Sequence, residues 1–123
     1  MGRGGNAVSE EPQVKIADDV VAALAVIAAT EVEGVAGLST GLVGDLSVAL
    51  GRKVPARGVK VEVGEKEAAI DLFLVVEYGV RIPEVAQRVQ EAVKHTVEEM
   101  TDLRVVEVNI HIQGVVFPHI PSD

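Results

Sequence analysis

One short string in the sequence has the form of a hydrolase motif. Residues 37–41 read Gly-Leu-Ser-Thr-Gly, the G-x-S-x-G pattern in which a sharp strand-to-helix turn exposes a nucleophilic serine, here Ser39. Such a serine needs an aspartate and then a histidine later in the chain, and Asp71 or Asp102 with His111 fit that order. No further motif supports them, and a chain with 12 glycines produces such a string easily. A small serine esterase is therefore a distant alternative, and we expect no catalytic residues.

The sequence contains no recognisable motif for binding a metal or a cofactor. The chain has no cysteine, which excludes disulfides, thiolate nucleophiles and cysteine-based zinc sites. The histidines His95, His111 and His119 stand at no standard ligand spacing to each other or to a carboxylate. The glycines of residues 37–44 match neither the dinucleotide-binding nor the P-loop spacing. We expect no metal, no cofactor and no small-molecule substrate.

The acidic composition argues against polyanionic partners. The net charge is −8 and the sequence pI is 4.8, whereas nucleic acids are bound through clustered Lys and Arg. The nearest such cluster, Arg52, Lys53, Arg57 and Lys60, is more typical of a solvated loop. The uncharged run Val20 to Thr30 is too short to span a bilayer. We expect a cytoplasmic protein that binds no nucleic acid and does not insert directly into a membrane.

Hydrophobic periodicity predicts one small domain. The main helices are predicted at residues 17–33 and 84–100, where apolar residues recur at helical spacing. Strands are predicted at 14–16, 35–39, 59–63, 68–78 and 104–113, and a further short helix at 42–50. We expect a disordered leader at residues 1–12, a single domain at 13–117 and a tail at 118–123. A weak repeat at an offset of 65 residues, each half a helix turning into a strand, favours both helices on one side of the sheet.

The expected fold is therefore α+β, with two main helices on one face of a small mixed sheet in two layers. Alternation assigns the strand faces. One face of the long strand carries Ile70, Leu72, Leu74 and Val76, and the other Asp71, Phe73, Val75 and Glu77. In the closing strand, Val106, Val108, Ile110 and Ile112 share one face and Glu107, Asn109, His111 and Gln113 the other. We expect a common core of Leu72, Leu74, Val89, Val93, Val108 and Ile110.

The first helix is apolar on all sides. At 100° per residue, one side carries Val20, Val21, Leu24, Ile27 and Ala28, which we expect to face the sheet. The opposite side carries Ala22, Val26 and Ala29. Two explanations remain open for that second side. Alanine is a good helix former in any position, or these three residues form a partner-binding or self-association surface.

The sequence as a whole resembles a known family. The resemblance rests on an ordered series of short matches: Val14-Lys15-Ile16, Asp19-Val20-Val21, Glu31-Val32-Glu33-Gly34-Val35, Gly37-Leu38, Gly58-Val59-Lys60-Val61, Ile70-Asp71-Leu72, Tyr78-Gly79, Ile82-Pro83 and Val108-Asn109-Ile110-His111-Ile112 with Gly114-Val115. This series, which extends over residues 14–117, is similar to the alkaline-shock-protein family, whose members are also described as envelope stress response proteins. The chain looks closest to its short, compact members.

The resemblance implies an α+β domain without known catalytic residues, found in Gram-positive and related bacteria and associated with cell-envelope stress and homeostasis. It implies binding to other proteins, either by self-association or by docking on a membrane-anchored partner. The alternative that it implies is a regulator that binds an enzyme of fatty-acid synthesis, such as acetyl-CoA carboxylase.

Overall fold

A computed structural model describes residues 13–40 and 57–117. The elements in chain order are α1 (Asp18–Thr30), β1 (Val35–Leu38), β2 (Val59–Val63), β3 (Glu67–Glu77), α2 (Ile82–Thr101) and β4 (Arg104–Val116). The predicted leader, the short helix at 42–50 and the tail lie outside the described residues, as do Arg52, Lys53 and His119. The prediction of a strand at residues 14–16 is wrong, because they form no strand.

The long strand β3 is the centre of a mixed sheet. On one side it pairs in parallel with β4 over its whole length, and α2 makes the crossover between the two strands. On the other side it pairs antiparallel with both β1 and β2. Strand β1 pairs with residues 74–76 of β3, and β2 pairs with residues 68–72. The two short strands therefore lie end to end along one edge of the sheet. The other edge of the sheet is β4.

The two short strands meet opposite Phe73. Its carbonyl oxygen accepts a hydrogen bond from the amide of Ser39 (2.6 Å), and its own amide donates to the carbonyl of Gly58 (2.9 Å). Gly58 has a φ of 74°, a conformation that residues with a Cβ rarely adopt. A Cβ there would also lie 2.6 Å from the carbonyl oxygen of Ser39. Glycine is therefore what allows β2 to begin where β1 ends.

Both helices lie on one face of the sheet, as predicted. The buried side chains of β3 are the alternate residues Ala68, Ile70, Leu72, Leu74 and Val76. On α2 the buried residues recur every four positions, at Val85, Val89, Val93 and Val97, so its valine stripe faces the sheet. The predicted core of six residues is confirmed, with five of them buried and Ile110 partly buried against the same cluster.

Two bulges divide β4. Its register against β3 shifts once between Ala68 and Ala69 and again between Leu74 and Val75, which leaves Val106 and Gln113 as the extra residues. The prediction that Val106 faces the core is wrong: it is 48% exposed, whereas Val105 is 4% exposed. The inserted residue reverses the alternation at that point. From Val108 to Ile112 the strand is regular.

The orientation predicted for α1 is wrong in part: Val21 and Ala28 are buried as expected, but Ala22 and Ala29, expected outside, are buried as well. Its buried residues are Val21, Ala22, Ala25, Ala28 and Ala29, and the helix packs against α2 and the sheet on this side. Val20 and Ile27, which we expected to face the sheet, are 47% and 53% exposed. The physical reason is size: four of the five buried residues are alanines, which let the helix approach another helix and a sheet closely, and Val21 is the one larger side chain among them.

Candidate interaction surface

The outer edge of β4 carries backbone groups that point away from the sheet. Near its ends, the amide of Arg104 donates to the carbonyl of Lys66, and the carbonyl of Val116 accepts from the amide of Tyr78, so these residues direct their backbone groups inward. The backbone groups of Val105 and Val108 point outward, since side chains of α2 hydrogen-bond the amide of Val105 and the carbonyl of Val108. Since the direction alternates along a regular strand, Ile110 and Ile112 also point outward.

Side chains of α2 satisfy the first part of this edge. A carboxylate oxygen of Glu98 accepts from the amide of Val105 (2.9 Å), and the ammonium of Lys94 donates to the carbonyl of Val105 (3.3 Å). The side-chain amide of Gln90 donates to the carbonyl of Val108 (3.1 Å). Lys94 also hydrogen-bonds Glu98 at 2.8 Å. That bond, and after it the bond from the Val105 amide, lowers the pKa of Glu98 below its ordinary value.

Beyond this capped part, the edge is unoccupied by the described residues. Among residues 13–40 and 57–117, no side chain hydrogen-bonds the outward amide or carbonyl groups of Ile110 and Ile112. We call the outward backbone of Val108–Ile112 the open edge, although its first carbonyl, that of Val108, is hydrogen-bonded by Gln90. Residues 108–117 include no charged side chain, although edge strands are commonly protected by charges. An uncharged, regular strand edge of this kind is a template for a further strand.

A shallow cleft runs beside the open edge. It has a volume of about 520 Å³ and lies between the first half of α2 and β4. From α2 it is lined by Pro83, Ala86, Gln87 and Gln90, and from the sheet by Asp71 and residues 108–111. The cleft is too open to enclose a small ligand, but it leaves room beside the backbone of Ile110.

His111 is held on the face of the sheet opposite the helices. Its Nε2 lies 3.1 Å from a carboxylate oxygen of Asp71, and its ring stacks on Phe73 with the ring centroids 4.4 Å apart and the planes 9° from parallel. The parallel register places Phe73 directly beside His111. These two contacts fix the imidazole against β3.

The sheet brings together only two of the three residues of the hydrolase alternative. Ser39 pairs with Phe73 on the far side of β3 from His111. Two strand spacings of about 4.8 Å separate the backbones of Ser39 and His111 by roughly 10 Å, with the strand that carries Phe73 between them. The ring of Phe73 stands between them. Asp102, the other aspartate considered, is the residue that ends α2, with a φ of 65°.

Other candidate residues are exposed. His95 is exposed on α2, and Arg57 forms an ion pair with Asp19 at 2.9 Å, both side chains in solvent. Within the described ranges, no group of three His, Asp or Glu side chains is placed to hold a metal ion. No helix in that part of the chain combines the length and apolarity that crossing a membrane requires.

The predicted partner-binding residues do not form an exposed surface. Ala22 and Ala29 are 4% and 0% exposed and belong to the core, and Val26 is half-buried. The small residues do allow a helix to approach closely, but α2 of the same chain lies there. A partner contact through α1 stays a prediction, and it would have to use the exposed side that carries Val20 and Ile27.

The sequence carries one signal for the open edge in its distribution of charge. The last charged residue of the described chain is Glu107, and ten uncharged residues follow it. In an acidic chain such a run at a strand marks a surface that charge does not protect. Alternation alone could not show that β4 is an edge, because strand order depends on pairings between distant residues.

Comparisons with known proteins agree on one family. Residues 6–117 match the alkaline shock protein 23 family, described as having a cell envelope-related function. The uncharacterized protein YqhY of Bacillus subtilis is 40% identical over 105 residues, which cover 85% of this chain and 78% of YqhY. A stress response regulator gls24 homolog of Streptococcus pyogenes is 35% identical over 84% of this chain, and the match spans 58% of that protein.

A solved structure of a MamM-CTD variant gives a TM-score of 0.50 at 16% identity and covers 80% of this chain and 98% of its own. At that identity the likeness concerns the fold alone.

Proposed function

Because this chain belongs to the alkaline shock protein 23 family, which has a cell envelope-related function, we propose that it is a non-catalytic protein-interaction domain. We propose further that the open edge of β4 is its contact surface. The observation that carries this proposal is the division of one edge strand into a capped and an uncapped part. Lys94 and Glu98 hydrogen-bond the carbonyl and the amide of Val105. In contrast, no side chain of the described residues hydrogen-bonds the outward amide or carbonyl groups of Ile110 and Ile112.

The chemistry of the open edge favours a protein over any other ligand. Its donors and acceptors are backbone groups that repeat every second residue, and another extended strand matches that spacing. A partner strand would gain main-chain hydrogen bonds along Val108–Ile112. A membrane-anchored partner that pairs in this way would hold a cytoplasmic domain at the membrane surface, which is one of the two roles that we propose; the other is self-association.

The arrangement around Ser39 supports the non-catalytic part of the proposal. Phe73, on which the imidazole of His111 stacks, lies on the strand between His111 and Ser39. A general base must reach the proton that it removes. Among residues 13–40 and 57–117, the string with the form of a hydrolase motif therefore has no histidine placed to act as its base, which supports the proposal.

The proposal can be tested by purification from the native host. A tagged chain would be expressed beside the untagged native chain, and the co-purifying proteins, untagged copies included, would be measured by mass spectrometry. The matched variants are Ile110→Pro and Ile110→Ala. Both remove the same side chain, but only proline also removes the outward amide, and proline is tolerated where an edge amide faces solvent.

We expect proteins that the wild type and Ile110→Ala recover and Ile110→Pro does not. Equal recovery by the wild type and both variants would show that the open edge is not the contact surface. The regulator alternative stays a prediction that the same purification tests, because an enzyme of fatty-acid synthesis would then be among the recovered proteins.

A further inference from the structure

We propose that the strand that covers the open edge of β4 belongs to a second copy of this chain. In this arrangement the two β4 strands pair antiparallel about a two-fold axis at Ile110 and join the two sheets into one. The inference rests on the proposed function, since it names the partner of the same edge.

The bulges define the register of this pairing. A ladder of backbone hydrogen bonds needs a regular strand, and β4 is regular only between its bulges at Val106 and Gln113. Within that stretch the residues that point outward are Val108, Ile110 and Ile112. Antiparallel pairing centred on Ile110 places Val108 of one copy opposite Ile112 of the other, so that all three take part. A shift by two residues would bring a bulge into the ladder.

The side chains of this register complement one another. On the helix side, β-branched apolar residues face each other, with Val108 against Ile112 and Ile110 against itself, and such pairs stabilise a sheet. On the other side, Asn109 lies opposite His111 of the second copy, which pairs a side-chain amide with an imidazole. His111 is already fixed by Asp71 and Phe73, so little side-chain freedom is lost when the strands pair.

Charge does not oppose a second copy at this edge. Two chains of net charge −8 repel each other, and like charges placed together across an interface are costly. Residues 108–117 carry no charge, so two copies can meet there without opposing charges of the same sign. An unlike partner recognised by charge complementarity would find no charge to recognise on this edge.

The cleft beside β4 accommodates the second copy. A two-fold axis perpendicular to the sheet keeps the α2 helices of both copies on the same side, and each helix presents Pro83, Ala86, Gln87 and Gln90 toward its partner. Ala86 is small, and Gln87 and Gln90 are exposed, so these side chains can adjust. On pairing, the hydrogen bond from the Gln90 side chain to the carbonyl of Val108 is replaced by one from a backbone amide of the second copy.

The first test is the oligomeric state of the purified full chain, measured by sedimentation equilibrium. We expect a dimer that dissociates on dilution. Ile110→Pro removes one hydrogen bond from each copy, which should raise the dissociation constant about 30-fold relative to Ile110→Ala. A wild type that is monomeric at all concentrations, or a proline variant that dimerises as well as the alanine variant, would overturn the inference.

The second test does not depend on whether proline is tolerated. The chain has no cysteine, so any disulfide between two copies must form at the single cysteine that is introduced. In the proposed register the two Ile110 Cα atoms lie about 5.5 Å apart, within the range that a disulfide bridges. Ile110→Cys should therefore form a covalent dimer under mild oxidation. Lys60→Cys, an exposed control on β2 at the other edge, should not, and equal cross-linking of the two would contradict the register.

The two proposals fail in different ways. If the purified chain is monomeric and Ile110→Cys does not cross-link, the second-copy inference is wrong. If the native-host purification still recovers a different protein in a manner that depends on the amide of residue 110, the protein-interaction proposal stands without it. If that purification also shows no dependence on this amide, both proposals are wrong.

Discussion

Replacing Ala25 by leucine should destabilise the domain, because α1 packs its alanines against α2 and the sheet. Ala25 is 0% exposed and lies in the middle of the helix. Leucine adds three carbon atoms at a position that is already closely packed, and overpacking of this kind costs about 1–3 kcal/mol of unfolding free energy. For a domain of this size, 1 kcal/mol corresponds to roughly 4 °C in Tm, so the expected decrease is about 4–12 °C.

The matched control is Ala23→Leu in the same helix. Ala23 is exposed, and the change in helix propensity is the same at both positions. An exposed substitution of this kind should change the unfolding free energy by less than about 0.5 kcal/mol. The difference between the two variants therefore isolates the packing of α1.

Urea unfolding followed by circular dichroism would measure both variants, with equal slopes required for the comparison. If Ala23→Leu costs as much as Ala25→Leu, or more, the helix does not bury its alanine face. The packing of α1 described above would then be wrong.

Three further changes test the core, the capped edge and the chemistry. Leu72→Ala should cost about 2–5 kcal/mol in urea unfolding, since Leu72 is fully buried on the central strand; a loss below about 0.5 kcal/mol would contradict its placement. Glu98→Gln should lower stability at pH 7 but not in strong acid. The pKa of Glu98 is lowered by Lys94 and the Val105 amide, so its contribution is present above the ordinary glutamate pKa of about 4.3 and is lost as the pH falls through the lowered value; an equal difference between variant and wild type at pH 7 and pH 2 would contradict this. Ser39→Ala should leave any turnover of activated esters unchanged, and turnover that disappears in a folded variant would contradict the non-catalytic proposal.

The sequence predicted the buried side best for elements that have apolar residues on one side and charged residues on the other. On α2, charged residues fill one side and valines the other, so the buried stripe could be assigned before the structure. The alternation along β3 is equally one-sided, with Ile70, Leu72 and Leu74 on the core face. In both elements the difference between apolar and charged residues decides which side is buried, and the structure confirms it.

The same reasoning failed for α1 because the helix has no polar side between Val20 and Ile27. With apolar residues all round, hydrophobicity could not orient the helix, and the size of the side chains decided instead. The expectation placed the bulky residues inward, where their larger apolar area would be buried. In the fold the inward side is the one that fits closely against α2, and it carries alanines such as Ala25 and Ala29.

The pairing register of the strands was the other feature that the sequence could not predict. The neighbours Asp71, Phe73 and His111 are brought together by the parallel pairing of β3 with β4, which joins residues about 40 positions apart. The bulges at Val106 and Gln113 leave no mark in the hydrophobic pattern, because valine and glutamine occur in regular strands as well. Only the hydrogen-bond partners identify them, and they also define the extent of the open edge.

The division of the β4 edge shows how one helix can both protect a strand and leave part of it accessible. The second half of α2 carries Lys94 and Glu98, which hydrogen-bond the backbone where a foreign strand could otherwise pair. The first half carries Pro83 and Ala86, which have no side-chain donor or acceptor and leave the cleft. Pairing is thereby restricted to five residues, and a slip by one residue would turn every paired side chain to the wrong face. Because a two-fold contact uses the same surface on both copies, pairing at this edge is complete with two chains, and no second open edge of β4 remains to recruit a third.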